Sequence, residues 1–138
     1  MRKHLLHWVP LIAWASLISA LSSIAASNLD SASASVDRTT SISFLTNPWF
    51  VHPVEYAVLA ILVVRVVAAY ALRRGALLWT SALAITVAYG VGDELHQSFV
   101  PGRSASLHDV GFDALGALGA LLVAAVISMV WRRARRRP

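Results

Sequence analysis

Ionisable and polar side chains are concentrated in one short segment that lies between two long apolar runs. The candidate catalytic residues in it are Asp93, Glu94 and His96, because carboxylates beside an imidazole can perform general acid–base chemistry. Gln97 and Arg103 are candidates for substrate binding, since an arginine forms strong charge-assisted bonds with phosphate. Ionisable groups at membrane depth are costly and usually face a protein interior or a wet cavity. The segment is therefore our first candidate for a functional site.

Helical spacing separates these residues by direction. Asp93, His96 and Gln97 share one helix face, whereas Glu94 is rotated by about 100° from Asp93 and should point toward a neighbouring helix. Two acids near a helix C-terminus also oppose the helix dipole, which favours cations there. Another group should compensate them, and Arg103 is the nearest candidate in the sequence.

A second polar group opens an earlier apolar run. His52, Glu55 and Tyr56 are three and four positions apart, so they share one face of a helix. An aromatic and polar belt at the membrane surface is the simpler interpretation. That interpretation explains Glu55 poorly, because a carboxylate below the headgroups gains nothing unless it is paired. We predict that all three residues contribute to substrate binding.

A third group opens the last apolar run. Ser106 has the type and position of a helix cap, and Asp109 three residues later completes an acidic version of the capping box. Asp113 lies one turn deeper and gains less from the helix N-terminus, so Asp109 and Asp113 are added to the candidates for substrate binding. His108 is expected to be an exposed loop residue.

No cofactor is expected to be required, and we assign no metal ligands from the sequence. The alternative is that His52, Glu55, His96 and Asp113 together bind a divalent metal. Imidazole and carboxylate ligands suit zinc or manganese. Distances between the helices decide between these possibilities.

The composition predicts the elements that must position these residues. The chain has 138 residues, of which 57% are hydrophobic and 14% charged, and its mean hydropathy is +0.64. Soluble domains carry roughly 25% charged residues, and about 20 apolar residues cross a hydrocarbon core of ~30 Å. We predict one all-α membrane domain, a helix bundle with four transmembrane helices. The expected spans are residues 5–26, 49–72, 76–95 and 110–131, with a flexible outer loop at 27–47 and a basic cytoplasmic tail at 132–138.

The distribution of charge predicts the topology. Nine of the 12 basic residues flank the spans on one side, and they are Arg2, Lys3, Arg73, Arg74, Arg132, Arg133, Arg135, Arg136 and Arg137. All seven acids then fall in the opposite half of the protein. Because Lys and Arg in short loops stay in the cytoplasm, both termini should be cytoplasmic in a multi-pass protein of the cell membrane. The same placement argues against nucleic-acid binding despite the net charge of +5, and the lack of cysteine excludes disulfides.

The first span has an alternative interpretation as a cleaved signal peptide. A signal peptide and a retained helix can both have a basic N-terminus, an apolar stretch and small residues such as those near Ala25. The apolar run is long for a signal peptide, and Trp8, Pro10 and Trp14 suit an anchored helix better. Removing it would also leave three spans and an external N-terminus. We therefore predict that the first helix is retained.

Three segments together resemble the VanZ-like family of small membrane proteins. They are the run from His52 to Leu59, the run from Tyr89 to Arg103 and the run from Asp109 to Gly119. The Ser22-Ser23 pair also fits a serine pair that the family has at the end of its first span. One departure is that members often have a lysine shortly before the histidine that corresponds to His52, whereas this chain has Asn47-Pro48-Trp49. A cation that usually accompanies the acids is therefore missing.

The resemblance implies a helical membrane bundle but no defined reaction. The family is named after a protein linked to resistance to the antibiotic teicoplanin. We interpret the outer polar site as a binding site for a lipid or cell-wall-precursor headgroup, linked to glycopeptide or envelope-stress tolerance. The alternative is an enzyme that performs acid–base or metal-assisted chemistry on a lipid-linked substrate. A third possibility is a polar network that only holds the helices together. The expected partners are membrane lipids or lipid-linked cell-wall intermediates, and the oligomeric state stays open.

Overall fold

A computed structural model describes residues 2–24, 48–70 and 75–136 of the chain. These residues form four α-helices and no strand: α1 (Arg2–Ser22), α2 (Pro48–Ala69), α3 (Ala76–Gln97) and α4 (Leu107–Ala134). Each contains an apolar span of 18 to 28 residues that is long enough to cross a membrane. The predicted all-α bundle with four membrane-spanning helices is confirmed. The predicted outer loop at 27–47 lies outside the described residues.

The helix ends differ from the expected spans in ways that affect the polar residues. Helix α4 begins at Leu107, before the expected start, because the Ser106 side chain caps it by accepting a hydrogen bond of 3.3 Å from the Asp109 N–H. Helix α3 continues to Gln97, so its acids and His96 all lie within regular helix. Helix α4 also continues to Ala134, so the first arginines of the expected tail are helical.

Helix α2 is the centre of the bundle. It packs against α1, α3 and α4, and most of the buried core side chains belong to it. The core residues are Ile18, Tyr56, Leu59, Ala60, Val63, Val64, Ala82, Ala117 and Leu121. The outward surfaces of the helices carry many exposed leucine, isoleucine and valine side chains. That distribution suits a bundle surrounded by lipid rather than by water.

A glycine allows α2 and α4 to approach closely. A Cβ atom placed on Gly116 would collide with the Pro53 backbone and would lie 2.6 Å from its Cα atom. Ala60 of α2 and Ala117 of α4 are fully buried. Small residues commonly permit such close backbone contact between membrane helices. This contact lies beside His52, and it fixes the distance between the polar residues that open the two helices.

Contacts between helix ends show that the helices alternate in direction. Ser22 at the end of α1 contacts Asp93 near the end of α3, and His52 near the start of α2 contacts Asp113 near the start of α4. We call this end of the bundle the site end. At the opposite end, Trp8 Nε1 donates a hydrogen bond of 2.6 Å to the Tyr70 hydroxyl. Arg132 and Arg133 also lie at that opposite end, in the last turn of α4.

Candidate functional site

The last two turns of α3 direct neighbouring carboxylates toward different helices. Asp93 faces α1, and Glu94 faces the start of α4, in the directions that helical spacing predicts. Both side chains are almost completely buried, with exposed fractions of 7% and 4%. Buried carboxylates need hydrogen bonds or a cation to offset their loss of hydration. The properties of the site therefore depend on the hydrogen-bond partners of these two carboxylates.

Asp93 belongs to a hydrogen-bonded network that joins α1 to α3. Its Oδ2 atom accepts hydrogen bonds from Ser22 Oγ at 2.7 Å and from Gln97 Nε2 at 3.1 Å. Arg103 donates to Gln97 Oε1 at 3.3 Å and to the Ile24 carbonyl at 3.4 Å. Arg103 therefore reaches Asp93 through Gln97, whereas the sequence suggested direct compensation of the acids.

An open groove runs along the outside of the bundle next to this network. It has a volume of about 380 Å³, and it is lined by Ser19, Ser23, Tyr89, Gly92, Asp93 and His96. We call it the α1–α3 groove. His96 Nε2 lies 3.0 Å from Ser23 Oγ. The Tyr89 hydroxyl donates to the Ala15 carbonyl, so it accepts from Ser19 Oγ, which is 2.8 Å away. Five of the six lining residues therefore present a hydrogen-bonding side chain.

A second group of polar side chains lies between α2, α3 and α4. It consists of His52, Glu94 and Asp113, and we call it the acid–histidine cluster. One potential ligand atom from each residue lies within 4.8 Å of the other two. His52 Nδ1 is 3.2 Å from Asp113 Oδ1, within hydrogen-bond distance. Glu94 Oε2 accepts a hydrogen bond of 2.8 Å from the Ser106 backbone N–H.

Three buried oxygens in and beside the cluster have no hydrogen-bond partner among the described residues. They are Glu94 Oε1, Asp113 Oδ2 and the Tyr56 hydroxyl. The Tyr56 ring and Asp113 Oδ2 both border Gly90, where an added Cβ would lie 3.1 Å from the ring and 3.4 Å from the oxygen. Buried polar atoms normally have hydrogen-bond partners, so these three oxygens are available to bind one.

The structure does not bring every candidate from the sequence into one cluster. Glu55 is half-buried, and its side chain makes no hydrogen bond to another described residue, although its backbone carbonyl accepts one from Trp14 at 2.9 Å. Asp109 lies in the first turn of α4 and uses its N–H in the helix cap. His108 is exposed, as expected, but it lies in the first turn of α4 and not in a loop. Roles for Glu55 and Asp109 in substrate binding stay predictions.

The fold does not bring together the four residues that the sequence suggested as possible metal ligands. His52 and Asp113 do meet, but their third partner is Glu94, and Glu55 and His96 are not members of that group. His96 lies in the α1–α3 groove instead. The direction in which Glu94 points was predictable, but the residues that it meets depend on how α2 and α4 pack.

Sequence reasoning overlooked the contribution of α1 to the site. Ser19, Ser22 and Ser23 all make hydrogen bonds to α3, as does the backbone carbonyl of Ala15. The serine pair at the end of α1 was the feature of the sequence that could have indicated this contribution. It was interpreted only as support for a retained first helix. Tyr89 was likewise noticed only as the first residue of a longer motif.

A known family matches the part of the chain that contains both the groove and the acid–histidine cluster. A family model described as VanZ/LLP1 matches residues 7–129. The chain belongs to the VanZ/LLP1 family. This confirms the predicted resemblance, and the VanZ/LLP1 match includes every residue of the groove and of the acid–histidine cluster. Neither a curated protein nor a solved structure matches the chain significantly. With its four apolar helices, this VanZ/LLP1 protein is a multi-pass membrane protein.

Proposed function

We propose that this VanZ/LLP1 protein binds the polar headgroup of a membrane lipid or of a lipid-linked cell-wall intermediate in the α1–α3 groove. The observation that carries the proposal is a groove with five hydrogen-bonding side chains on the outer surface of a membrane-spanning bundle. Polar groups facing lipid are costly unless a partner satisfies them. The side chains of the groove bond to one another, and an amphiphilic ligand would use the positions that these contacts leave open, such as Asp93 Oδ1.

The depth of the groove supports an amphiphilic ligand. Tyr89 lies eight residues before the end of α3 at Gln97, which corresponds to about 12 Å along the helix axis. One leaflet contributes about 15 Å of hydrocarbon. With Gln97 at the membrane surface, the groove would therefore extend through most of the acyl region of one leaflet. A ligand that follows it has a polar part near His96 and an apolar part near Tyr89.

The chemistry of the lining residues favours a headgroup that donates hydrogen bonds. Both hydrogen bonds to Asp93 from described residues use Oδ2, which leaves Oδ1 for a hydroxyl or an amine. The serine hydroxyls and the His96 imidazole can both donate and accept. Sugar hydroxyls and amines of cell-envelope lipids fit this pattern.

We place the site end of the bundle in the outer leaflet of the cell membrane. The basic residues in the described part of α4 lie at the opposite end, and such residues stay in the cytoplasm. Both termini would then be cytoplasmic. A role in tolerance of glycopeptide antibiotics or envelope stress would follow if the bound headgroup belongs to a cell-wall intermediate.

The alternative function is catalysis on a lipid-linked substrate. It is favoured by the imidazole of His52 beside Asp113 and Glu94, because both carboxylates have an oxygen without a partner among the described residues. Such groups can transfer protons to and from a substrate. Time-dependent product formation would support the enzyme, whereas saturable binding without product would support the binding protein.

The test measures lipid binding to the purified protein in nanodiscs. Native mass spectrometry compares phosphatidylethanolamine, phosphatidylglycerol and a polyprenyl-pyrophosphate-linked cell-wall precursor, each diluted into phosphatidylcholine. We expect Asp93→Asn to weaken binding of the preferred lipid at least tenfold, since a hydrogen bond to a charged group contributes about 1.5–3 kcal/mol. His96→Gln should also weaken it.

Ser98→Ala is the matched control for these variants. Ser98 is exposed at the site end, and its hydroxyl bonds only to the Leu95 carbonyl among the described residues. Its lipid affinity should equal that of the unchanged protein. Equal affinity in Asp93→Asn, His96→Gln and Ser98→Ala would refute the groove as the binding site.

A further inference from the structure

Apart from the groove, we propose that the acid–histidine cluster binds one divalent transition-metal ion, with His52, Glu94 and Asp113 as its protein ligands. Zn²⁺ or Mn²⁺ is the chemical class that suits one imidazole and two carboxylates. The proposal concerns the α2–α4 side of α3, whereas the headgroup site lies on its α1 side.

The distances within the cluster are close to those of a metal site. Ligand atoms that hold zinc at about 2.0–2.2 Å in a tetrahedron are about 3.3 Å apart. The His52 and Asp113 atoms are already 3.2 Å apart, and all three ligand atoms lie within 4.8 Å of one another. The longest separation must shorten by about 1.5 Å at most, which side-chain rotation can provide.

The unpartnered oxygens are independent support for a cation. Glu94 Oε1 and Asp113 Oδ2 are buried without a partner among the described residues. The Tyr56 hydroxyl, on a fully buried side chain whose ring borders Gly90 beside Asp113 Oδ2, also has none. A metal would bind carboxylate oxygens directly, and a water on the metal would give the Tyr56 hydroxyl a partner.

A divalent cation would also balance the charge of the two carboxylates when both are ionised. Two carboxylates with exposed fractions of 4% and 1% lie beside a single imidazole. With a neutral histidine, their combined charge equals and opposes that of a divalent cation. Arg103 does not contact either of them among its described hydrogen bonds, which go to Gln97 and Ile24. Buried charges persist when they are paired or coordinate a metal.

Three protein ligands leave a coordination position open. Structural zinc sites use four protein ligands, whereas sites that bind water or a substrate retain a free position. The cluster would therefore hold a metal with an exchangeable water. This property is compatible with either function proposed above and depends on neither.

The experiment titrates Zn²⁺ and Mn²⁺ into chelator-treated protein in detergent without added lipid. Isothermal titration calorimetry gives affinity, and elemental mass spectrometry after desalting gives the metal content. We expect about one ion per chain, because the described residues form one such cluster. His52→Gln, Glu94→Gln and Asp113→Asn should each weaken binding at least tenfold, a loss of about 1.4 kcal/mol per tenfold.

The chain offers controls of the same residue types. Glu55→Gln and His96→Gln remove a nearby carboxylate and a nearby imidazole that are not members of the cluster. They should retain the metal affinity of the unchanged protein within about twofold. Circular dichroism tests whether each variant remains helical. Where a variant does not, the test is instead the thermal shift that metal causes in the unchanged protein.

Several results would overturn the metal site. They are no binding to the unchanged protein, equal binding in all five variants, or a larger loss in the two controls than in the cluster variants. His96→Gln separates the two proposals, because it should weaken headgroup binding and preserve metal binding. If His96→Gln weakens only headgroup binding, the metal site is not refuted. If the cluster variants lose only metal binding, the groove is not refuted as the headgroup site.

Discussion

Replacing Gly116 by alanine should push α2 away from α4 and separate the members of the acid–histidine cluster. The added Cβ would lie 2.6 Å from Pro53 Cα and 2.7 Å from its carbonyl carbon, whereas ordinary contact begins at 3.4 Å. The obstacle is backbone, which cannot rotate aside as a side chain can. The Pro53 carbonyl oxygen is closer still, so the helices must separate by at least about 0.8 Å at this level.

That separation is large enough to break the contact between His52 and Asp113. His52 precedes Pro53 in the chain, and Asp113 lies one turn before Gly116, so both belong to the same interface. Their distance would increase from 3.2 Å to about 4.0 Å or more, beyond hydrogen-bond range. Overpacking of this kind costs about 1–3 kcal/mol.

Gly119→Ala is the matched control, because an added Cβ at Gly119 meets nothing within 4 Å. Alanine in an unobstructed helix position is favoured over glycine by up to about 1 kcal/mol. Because both variants gain this preference, we expect Gly116→Ala to unfold with a free energy about 1–3 kcal/mol below that of Gly119→Ala. Reversible unfolding in mixed detergent micelles, followed by circular dichroism, measures this difference. Equal stability of the two variants would refute the close α2–α4 contact and the cluster geometry that depends on it.

Four further predictions concern other contacts and the topology. Trp14→Phe removes the indole N–H that bonds an α2 carbonyl at 2.9 Å, and it should lower the free energy of unfolding by ~0.6 kcal/mol; no change would contradict that bond. Tyr56→Phe removes a buried hydroxyl without a described partner, so metal-free protein should be no less stable, whereas metal affinity should fall; destabilisation of the metal-free protein would contradict this. Ser106→Ala should cost about 1 kcal/mol through loss of the α4 cap, and Ser106→Asn should restore most of it. In the cysteine-free chain, Ser98→Cys should react with an impermeant maleimide on intact cells, and Arg136→Cys only after lysis; the reverse pattern would invert the topology.

The sequence predicted the number and approximate position of the helices because hydropathy depends on local composition. The predicted ends of the helices were less accurate, because they depend on individual hydrogen bonds. The Ser106 cap, which the sequence did predict, places the start of α4 at Leu107, three residues before the span that hydropathy predicted, and the final turn of α3 reaches Gln97. Hydropathy cannot locate such ends, because it averages over many residues and ignores individual hydrogen bonds.

The site was predictable as a list of polar residues but not as two separate groups. Helical rotation predicted that Asp93 and Glu94 diverge, and their contacts confirm it. The pairing of Glu94 with His52 and Asp113 depends on the Gly116 contact between distant segments. No local pattern encodes the separation of two helices, and the same limit hid the role of Ser19 on α1.

The divergence of Asp93 and Glu94 has a mechanical consequence. Their Cα atoms are joined by one peptide unit, about 3.8 Å long, within a continuous turn of helix. Any rotation of that turn about its axis must move both carboxylates at once, one relative to Ser22 and the other relative to Ser106. The two faces of α3 therefore share a single degree of freedom, and a displacement on one side is transmitted to the other without a relay of side chains.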